Sequence, residues 1–409
     1  MSPMTDTCVS GDGIVFDPFS DEFFSDPHEI YRRLRAQAPV HFNPEYGLWS
    51  LSRYPDVAAG MKNFDTFSSA EGITLDMVLD PGHPKPSVPM IIMMDPPEHT
   101  RMRNLVRKVF TPRAIAALEP MVRETVATFV ERLPGGEFDV VADFSNHFPI
   151  EVISSMLGVP APDRARLREL HALPLERRPG ETGMRPEAAE AIREAGQYYF
   201  ELILERRARP RDDMISHLIA AEVDRGDGTK TALTDIEIAG FISLLGGAGA
   251  ETVAKLVGIA AVLFADHPEQ WRALRADRSK IPAAFEEVLR YDGPVQYDLR
   301  YTRTEVRLHD RTIPQGSYVL MLLASATRDE QAFPDAESFD IDRPHSGHNL
   351  GFGYGIHSCL GAALARLEGR IALDALLDVM PDYTVDRAGL RRATVTNVAG
   401  WANVPVRVH

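Results

Sequence analysis

A single cysteine stands in a glycine-rich segment that is suited to holding a bound group. Residues 352–361 read FGYGIHSCLG, and Cys359 stands just before an alanine-rich run that predicts a helix from Ala362. Glycines permit positive φ angles and a close approach of the backbone to a ligand. The dipole and free N–H groups of a helix N-terminus favour a thiolate over a thiol, and a thiolate is a good ligand for a soft metal. Taken alone, a lone cysteine is more often buried and inert, and a metal-binding thiolate is the alternative.

The pattern around Cys359 resembles the haem-binding signature of the cytochrome P-450 superfamily. The matching positions, all in register, are Phe352, Gly353, Gly355, His357, Cys359, Gly361, Ala365 and Arg366. The resemblance implies that the Cys359 thiolate is the axial ligand of a haem b iron. It also implies that Phe352, Gly353 and Gly361 lie against the haem.

A second segment, 248–252, reads AGAET in the middle of a long predicted helix and resembles the family's oxygen-activation motif. Glycine costs a helix about 1 kcal/mol relative to alanine, so the glycines at 246, 247 and 249 predict a kink or groove, or close packing of a neighbouring helix. We favour a polar notch for dioxygen and water. The resemblance places Ala248 beside the haem and makes Glu251 a relay for solvent protons. It also implies that the Thr252 hydroxyl hydrogen-bonds to the oxygen being activated.

Four basic residues match the family's contacts to the two haem carboxylates. His99 and Arg103 are one turn apart in a predicted helix that follows Asp95-Pro96-Pro97, and therefore lie on one face. Arg300 and His357 match the remaining two contacts. Arginine is well suited to binding a carboxylate, but an arginine pair is also the ordinary content of a solvated helix face.

Three further charged residues match a structural trio of the family. Glu287 and Arg290 are three positions apart on a predicted helix, and Arg343 follows in FDIDR. By itself such a pair is usually a surface contact worth a few tenths of a kcal/mol. The resemblance implies a buried trio that braces the loop holding Cys359.

Most of the elements that position these residues are predicted helices. Thr234 and Glu237 form a capping box, and the helix that they open runs to Asp266, about 50 Å at 1.5 Å per residue. A helix this long and apolar must cross the middle of the molecule. Alternation over 40–51 predicts two short strands. The expected fold class is mainly α with a small β part: the cytochrome P-450 fold, with haem between the long central helix and the cysteine-loop helix. It forms a single domain over 1–409, of which 1–15 is a flexible segment.

Composition and charge exclude several classes of protein. The 44 Lys and Arg against 59 Asp and Glu give a net charge of −15, which disfavours nucleic-acid binding. The two cysteines cannot form a disulfide framework, and the N-terminal residues lack the basic and apolar runs of a secretory signal. Charged residues interrupt the longest apolar stretches before the length needed to span a bilayer. We expect a cytoplasmic monomer without a membrane span.

The implied activity is monooxygenation, in which one atom of O2 enters an organic molecule and the other leaves as water. The electrons come ultimately from NAD(P)H through a separate ferredoxin or flavodoxin-type donor. Arg101, Arg107, Lys108 and Arg113 are either a basic cluster that attracts this donor or scattered surface charge. The expected substrate is a hydrophobic small molecule. The positions expected to line its pocket are Met93, Leu244, Leu245, Val295, Tyr297 and Val398.

Two other functions are compatible with a haem-binding chain. The first is a peroxide-driven or reductive enzyme on the same scaffold. The pair Glu251 and Thr252 argues against it, because neither chemistry needs that proton relay. The second is a non-catalytic haem protein that senses or carries a gas and needs neither an apolar substrate pocket nor a reductase.

Overall fold

The structure is a computed structural model that describes residues 13–80, 88–174, 183–224, 229–344, 347–393 and 397–409. The helices are α1 (Asp21–Ser25), α2 (His28–Gln37), α3 (Tyr54–Lys62), α4 (Leu75–Leu79), α5 (Glu98–Val106), α6 (Pro112–Ala117), α7 (Glu119–Val130), α8 (Phe148–Leu157), α9 (Ala161–Ala172), α10 (Pro186–Ala208), α11 (Met214–Ala220), α12 (Asp235–Asp266), α13 (Pro268–Ala276), α14 (Ile281–Asp292), α15 (Leu323–Ala326) and α16 (Ala362–Val379). The strands are β1 (Val40–Asn43), β2 (Leu48–Leu51), β3 (Phe67–Ser68), β4 (Glu137–Asp139), β5 (Glu222–Asp224), β6 (Lys230–Ala232), β7 (Asp298–Thr302), β8 (Val306–Leu308), β9 (Arg311–Ile313), β10 (Tyr318–Met321), β11 (Tyr383–Val385), β12 (Arg391–Arg392), β13 (Trp401–Asn403) and β14 (Pro405–Val408). The expected mainly-α class with a small β part is confirmed.

The β part is one five-stranded sheet with several smaller ribbons. Its strand order is β1-β2-β10-β7-β3, and the predicted strands over 40–51 form the antiparallel hairpin at its edge. Strand β10 runs parallel to β2 and antiparallel to β7. Pairing with β10 fixes the position of β7, which carries Arg300.

Helix α12 is the central element, as its sequence predicts. Thr234 caps it through a capping box with Glu237, and the helix continues unbroken for 32 residues. It packs against α8, α10, α14 and α16. The chain therefore wraps around one apolar helix.

Helix α12 is also long and apolar enough to cross a membrane, but 67% of its most apolar window is buried inside the protein. Burial of this kind is typical of a core helix, because its apolar side chains already pack against protein. We therefore describe it as the core of the helical part.

Buried side chains form three clusters. The largest surrounds α12, and two smaller ones lie on either face of the five-stranded sheet. Ile14 is 1% exposed and belongs to one of the smaller clusters. Ile14 is thus packed, contrary to the expected flexible segment 1–15, and residues 1–12 of that segment lie outside the described residues.

Candidate active site

The loop before α16 holds Cys359 in a tightly constrained backbone. Gly353 and Gly355 have φ angles of 69° and 73°, and the N–H of Cys359 donates to the Phe352 carbonyl at 2.8 Å. A Cβ at Gly355 would lie 2.5 Å from the Met61 carbonyl oxygen. These two glycines are thus required by backbone conformation and by packing on α3, and they set the direction of the Cys359 side chain.

The Cys359 thiol behaves differently from the sequence-based expectation. We expected the helix N-terminus to favour the thiolate, but burial raises the pKa of the thiol. A hydrogen bond from the Gly361 backbone and the charges of Arg103 and Arg366 act in the opposite direction and do not compensate. The sulfur nevertheless has accessible surface. A bound cation in the space that this surface faces, hereafter the cleft, would favour the thiolate.

The four predicted carboxylate contacts converge beside this loop. The His99 and His357 rings lie 4.4 Å apart, centroid to centroid. Burial, then the charges of Arg300, His99 and Arg103, lower the pKa of His357 to about 3. Burial and the charge of Arg103 also lower the pKa of His99. Helix α5, strand β7 and the cysteine loop therefore bring four basic side chains to one place.

The hydrogen bonding at this place fits an anionic partner. Both ring nitrogens of His99 and Nε2 of His357 are buried without a hydrogen-bond partner among the described residues. Arg103 donates to the Ser358 carbonyl at 2.6 Å, and Arg300 donates to the Leu299 carbonyl at 2.7 Å. Buried polar atoms are rarely left unpaired in folded proteins. Carboxylates would satisfy these donors, so the residues present fit the two propionates of a haem whose iron is bound by Cys359.

Ala248 and Thr252 line an open space on α12. Ala248 is exposed although it lies in the middle of the core helix, and the Thr252 hydroxyl donates to the Ala248 carbonyl at 3.1 Å. The neighbouring glycines serve another purpose. A Cβ at Gly249 would lie 2.6 Å from Ile153 Cδ1 of α8, and α12 shows no break there. Of the two readings of the glycine cluster, close helix packing is therefore correct for Gly249.

Glu251 is paired within its own helix. Its Oε1 lies 3.1 Å from Nζ of Lys255, whose side chain is only 6% exposed. The Lys255 stem covers Gly400, where a Cβ would lie 2.7 Å from Lys255 Cβ. The carboxylate thus stands one residue from Thr252 with a fixed cation beside it.

The predicted trio is tightly paired, with Glu287 and Arg290 buried and Arg343 partly buried. Arg290 makes a two-point ion pair with Glu287, both contacts at 2.7 Å, and Arg343 Nε lies 3.1 Å from the same carboxylate. Arg290 also donates to the carbonyls of Thr327 and Ala336. The trio therefore braces the chain between α15 and the cysteine loop, and α14 reaches the loop itself through a bond from Asn349 to the Glu286 carbonyl at 3.0 Å.

The residues expected to line the substrate pocket are only partly brought together. Those that retain accessible surface are Met93, Leu244, Leu245, Val295 and Val398. Val295 and Val398 face each other in an isolated bridge. Tyr297 is a correction: it is 1% exposed and packs near Phe23 in the N-terminal cluster, the smaller cluster that also contains Ile14.

The basic cluster expected to attract an electron donor is smaller than its sequence indicates. Arg101 pairs with Glu237, and Lys108 donates to the Glu222 carbonyl. Arg107 and Arg113 remain exposed. Half of the expected positive charge is therefore engaged with the protein itself.

Sequence reasoning missed Lys255, His171 and Tyr199. The spacing of four residues between Glu251 and Lys255 was a usable indication of an ion pair. His171 and Tyr199 are 28 residues apart and meet only in the fold, at 2.9 Å.

Comparisons with known proteins agree with this geometry. The family described as "Cytochrome P450" matches residues 178–379. The chain is 41% identical over 97% of its length to a putative cytochrome P450 123 of Mycobacterium tuberculosis, and covers 97% of that protein. It is 35% identical to a vitamin D(3) 25-hydroxylase of Pseudonocardia autotrophica, covering 95% of this chain and 96% of that one.

A solved structure extends the likeness to the whole fold. Cytochrome P450 CYP109Q5 from Chondromyces apiculatus is 36% identical, with a TM-score of 0.87 over 96% of this chain and 97% of that one. The relatives are named as cytochromes P450 or as a hydroxylase, and nothing in the comparisons favours the gas-carrying alternative. From the fold, the cysteine loop and these relatives together, the chain belongs to the cytochrome P450 family and is a haem monooxygenase.

Proposed function

We propose that this monooxygenase inserts one oxygen atom into a hydrophobic small molecule held between α12 and the cysteine loop. The observation that carries the proposal is the cluster of unpaired buried donors on His99 and His357, beside the accessible thiol of Cys359. Haem b, when bound there, supplies the oxygen-activating and redox chemistry. Arg103 and Arg300 would complete the binding of its carboxylates.

Thr252 and Glu251, both on α12, would donate and relay protons in the cleft. The Thr252 hydroxyl can turn away from the Ala248 carbonyl and donate to an oxygen atom in the cleft, because that bond is a local one along the helix. Glu251 is the nearest acid in sequence, and Lys255 holds its carboxylate in place. We assign to Glu251 the passage of protons from solvent to the oxygen held by Thr252.

The pocket would select its substrate mainly by apolar contact. Leu244 and Leu245 lie one turn before Ala248, and the Val295–Val398 bridge presents branched side chains from the sheet. A named relative acts on vitamin D(3), which is itself a hydrophobic molecule. Burial of apolar surface gives about 25 cal/mol per Å2, so a lining of this kind binds hydrophobic molecules without needing many polar contacts.

Electrons would reach the site from a separate ferredoxin or flavodoxin-type protein, supplied in turn by NAD(P)H. Arg107 and Arg113 are exposed near α5 and α6, and α5 also carries the cofactor contacts His99 and Arg103. An acidic donor docking there would be steered by opposite charge. We place the enzyme in the cytoplasm and expect it to act as a monomer.

An absorbance spectrum tests the proposal directly. The reduced protein with carbon monoxide should show a red-shifted Soret band typical of thiolate ligation. Hydrophobic candidate substrates should then change the spin state of the ferric protein. A carbon monoxide spectrum of the imidazole-ligated type, obtained from freshly purified protein, would contradict the assignment of Cys359.

A further inference from the structure

A histidine and a tyrosine from two helices meet beside α12. Nε2 of His171, in the last turn of α9, lies 2.9 Å from the hydroxyl of Tyr199 in α10. A Cβ at Gly246 would lie 2.5 Å from that nitrogen and 2.7 Å from that hydroxyl. The absence of a side chain at position 246 therefore admits this polar pair against the central helix.

The hydrogen bonding of the pair determines where the imidazole proton lies. Tyr199 is 1% exposed, and its hydroxyl has no other partner among the described residues. Its O–H is satisfied when it donates to Nε2, which leaves the ring proton on Nδ1. We assign the tautomer from this network, since both polar atoms are then paired. Nδ1 of His171 thus carries an N–H that nothing in the described chain accepts.

The unused N–H lies next to the cleft. Nδ1 is 3.6 Å from the Cβ position of Gly247, the neighbour of the exposed Ala248. His171 retains accessible surface, although burial lowers its pKa to about 4. Gly247 adjoins the open space at Ala248, and we take the accessible edge of the ring to face that space.

We propose that His171 is a specificity-determining residue whose Nδ1–H donates a hydrogen bond to an acceptor oxygen of an otherwise hydrophobic substrate. Tyr199 acts as a positioning residue that fixes the tautomer. The substrate class is therefore a hydrophobic molecule that carries a ketone, ether or hydroxyl oxygen away from the carbon that is oxidised. This inference rests on the proposed function.

A series of iron-binding probes tests the inference without measuring turnover. Imidazoles carrying alkyl tails of graded length bind haem iron and shift the Soret band, which gives a Kd. Each tail ends either in a methyl ketone or in the matching hydrocarbon. In the wild type, we expect the ketone to bind about tenfold more tightly than the hydrocarbon at one tail length, the gain typical of one good hydrogen bond.

Three variants distinguish the roles of the residues. His171→Phe should remove the ketone preference while hydrocarbon tails bind as before. Tyr199→Phe should reduce the preference, because the ring proton can then move to Nε2. Tyr198→Phe is the matched control, since the Tyr198 hydroxyl donates to Asp163 at 2.7 Å and not to His171, and it should keep the preference.

Two results would overturn the inference: no ketone preference at any tail length in the wild type, or a preference that survives in His171→Phe. A Soret band that no imidazole shifts would instead contradict the proposed haem enzyme, on which the inference depends. The same titration therefore distinguishes failure of this inference from failure of the proposed function.

Discussion

Glu251 and Lys255 form an ion pair one turn apart on α12, with 3.1 Å between Oε1 and Nζ. The lysine side chain is 6% exposed and the glutamate side chain 20% exposed, so solvent screens the pair only in part. A buried lysine without its partner is costly, because its charge loses the interactions that water provided. The pairing of Glu251, the acid beside Thr252, therefore contributes to the stability of the central helix.

We expect Lys255→Met and Glu251→Gln each to destabilise the protein, by about 1–3 kcal/mol, because each leaves one charge unpaired. The double variant should cost less than the sum of the two, because no unpaired charge then remains. Urea unfolding of all four proteins gives the coupling energy. Strictly additive losses would show that the two side chains do not interact in solution.

Replacing Thr252 by Ala should separate electron use from product formation. The variant keeps its helix, since only a bond to the Ala248 carbonyl is lost, and it should still bind substrate and accept electrons. We expect reductant consumption to continue, hydrogen peroxide to accumulate and the ratio of product to reductant to fall. Glu251→Gln should instead slow the whole cycle, because it impairs proton delivery. An unchanged ratio in Thr252→Ala would leave the hydroxyl without a role in the reaction.

Cys359→His should abolish both the thiolate-type carbon monoxide spectrum and the monooxygenase activity, because imidazole replaces the sulfur ligand. The matched control is Cys8→Ser, at the other cysteine of the chain, which lies outside the described residues. We expect that variant to keep both properties. Retention of both by Cys359→His would contradict the ligand assignment.

The trio of Glu287, Arg290 and Arg343 predicts a folding defect. Glu287→Ala leaves Arg290 and Arg343 without their shared carboxylate, and removing one member of a buried ion pair typically costs about 3–5 kcal/mol. We expect little soluble protein and weak haem loading, measured as the ratio of Soret to protein absorbance. The control is Glu286→Ala, on the same helix, which removes the more exposed pair with Arg366. Equal yields from the two variants would show that the trio braces nothing.

His171 predicts how stability depends on pH. Burial lowers its pKa to about 4 from an ordinary value of 6.5, so between these values the unfolded chain binds more protons than the folded chain. Stability therefore rises with pH across this window and falls on acidification. Between pH 7.5 and pH 5.5 the wild type should lose about 1 kcal/mol through this one residue.

His171→Gln should lack that part of the loss, and urea unfolding at the two pH values measures the difference. Other groups contribute equally to both proteins, so only the difference between their pH slopes is assigned to His171. A slope that is the same in both proteins would show that His171 is not desolvated in solution.

Local patterns in the sequence were enough to predict the class of protein and several of its structural elements. The register from Phe352 to Arg366, the capping box at Thr234 and the apolar run to Asp266 each concern neighbouring residues. Contacts within one turn or one loop depend on backbone geometry that the local residue types restrict, so these predictions are confirmed by the fold.

Tertiary structure decided the environment of each side chain. Only the packed chain shows that burial outweighs the helix N-terminus at Cys359, that Tyr297 faces the N-terminal cluster, and that Gly246 admits the pair of His171 and Tyr199. Desolvation and long-range contact depend on residues that are distant in sequence, and a pattern in one segment carries no information about them.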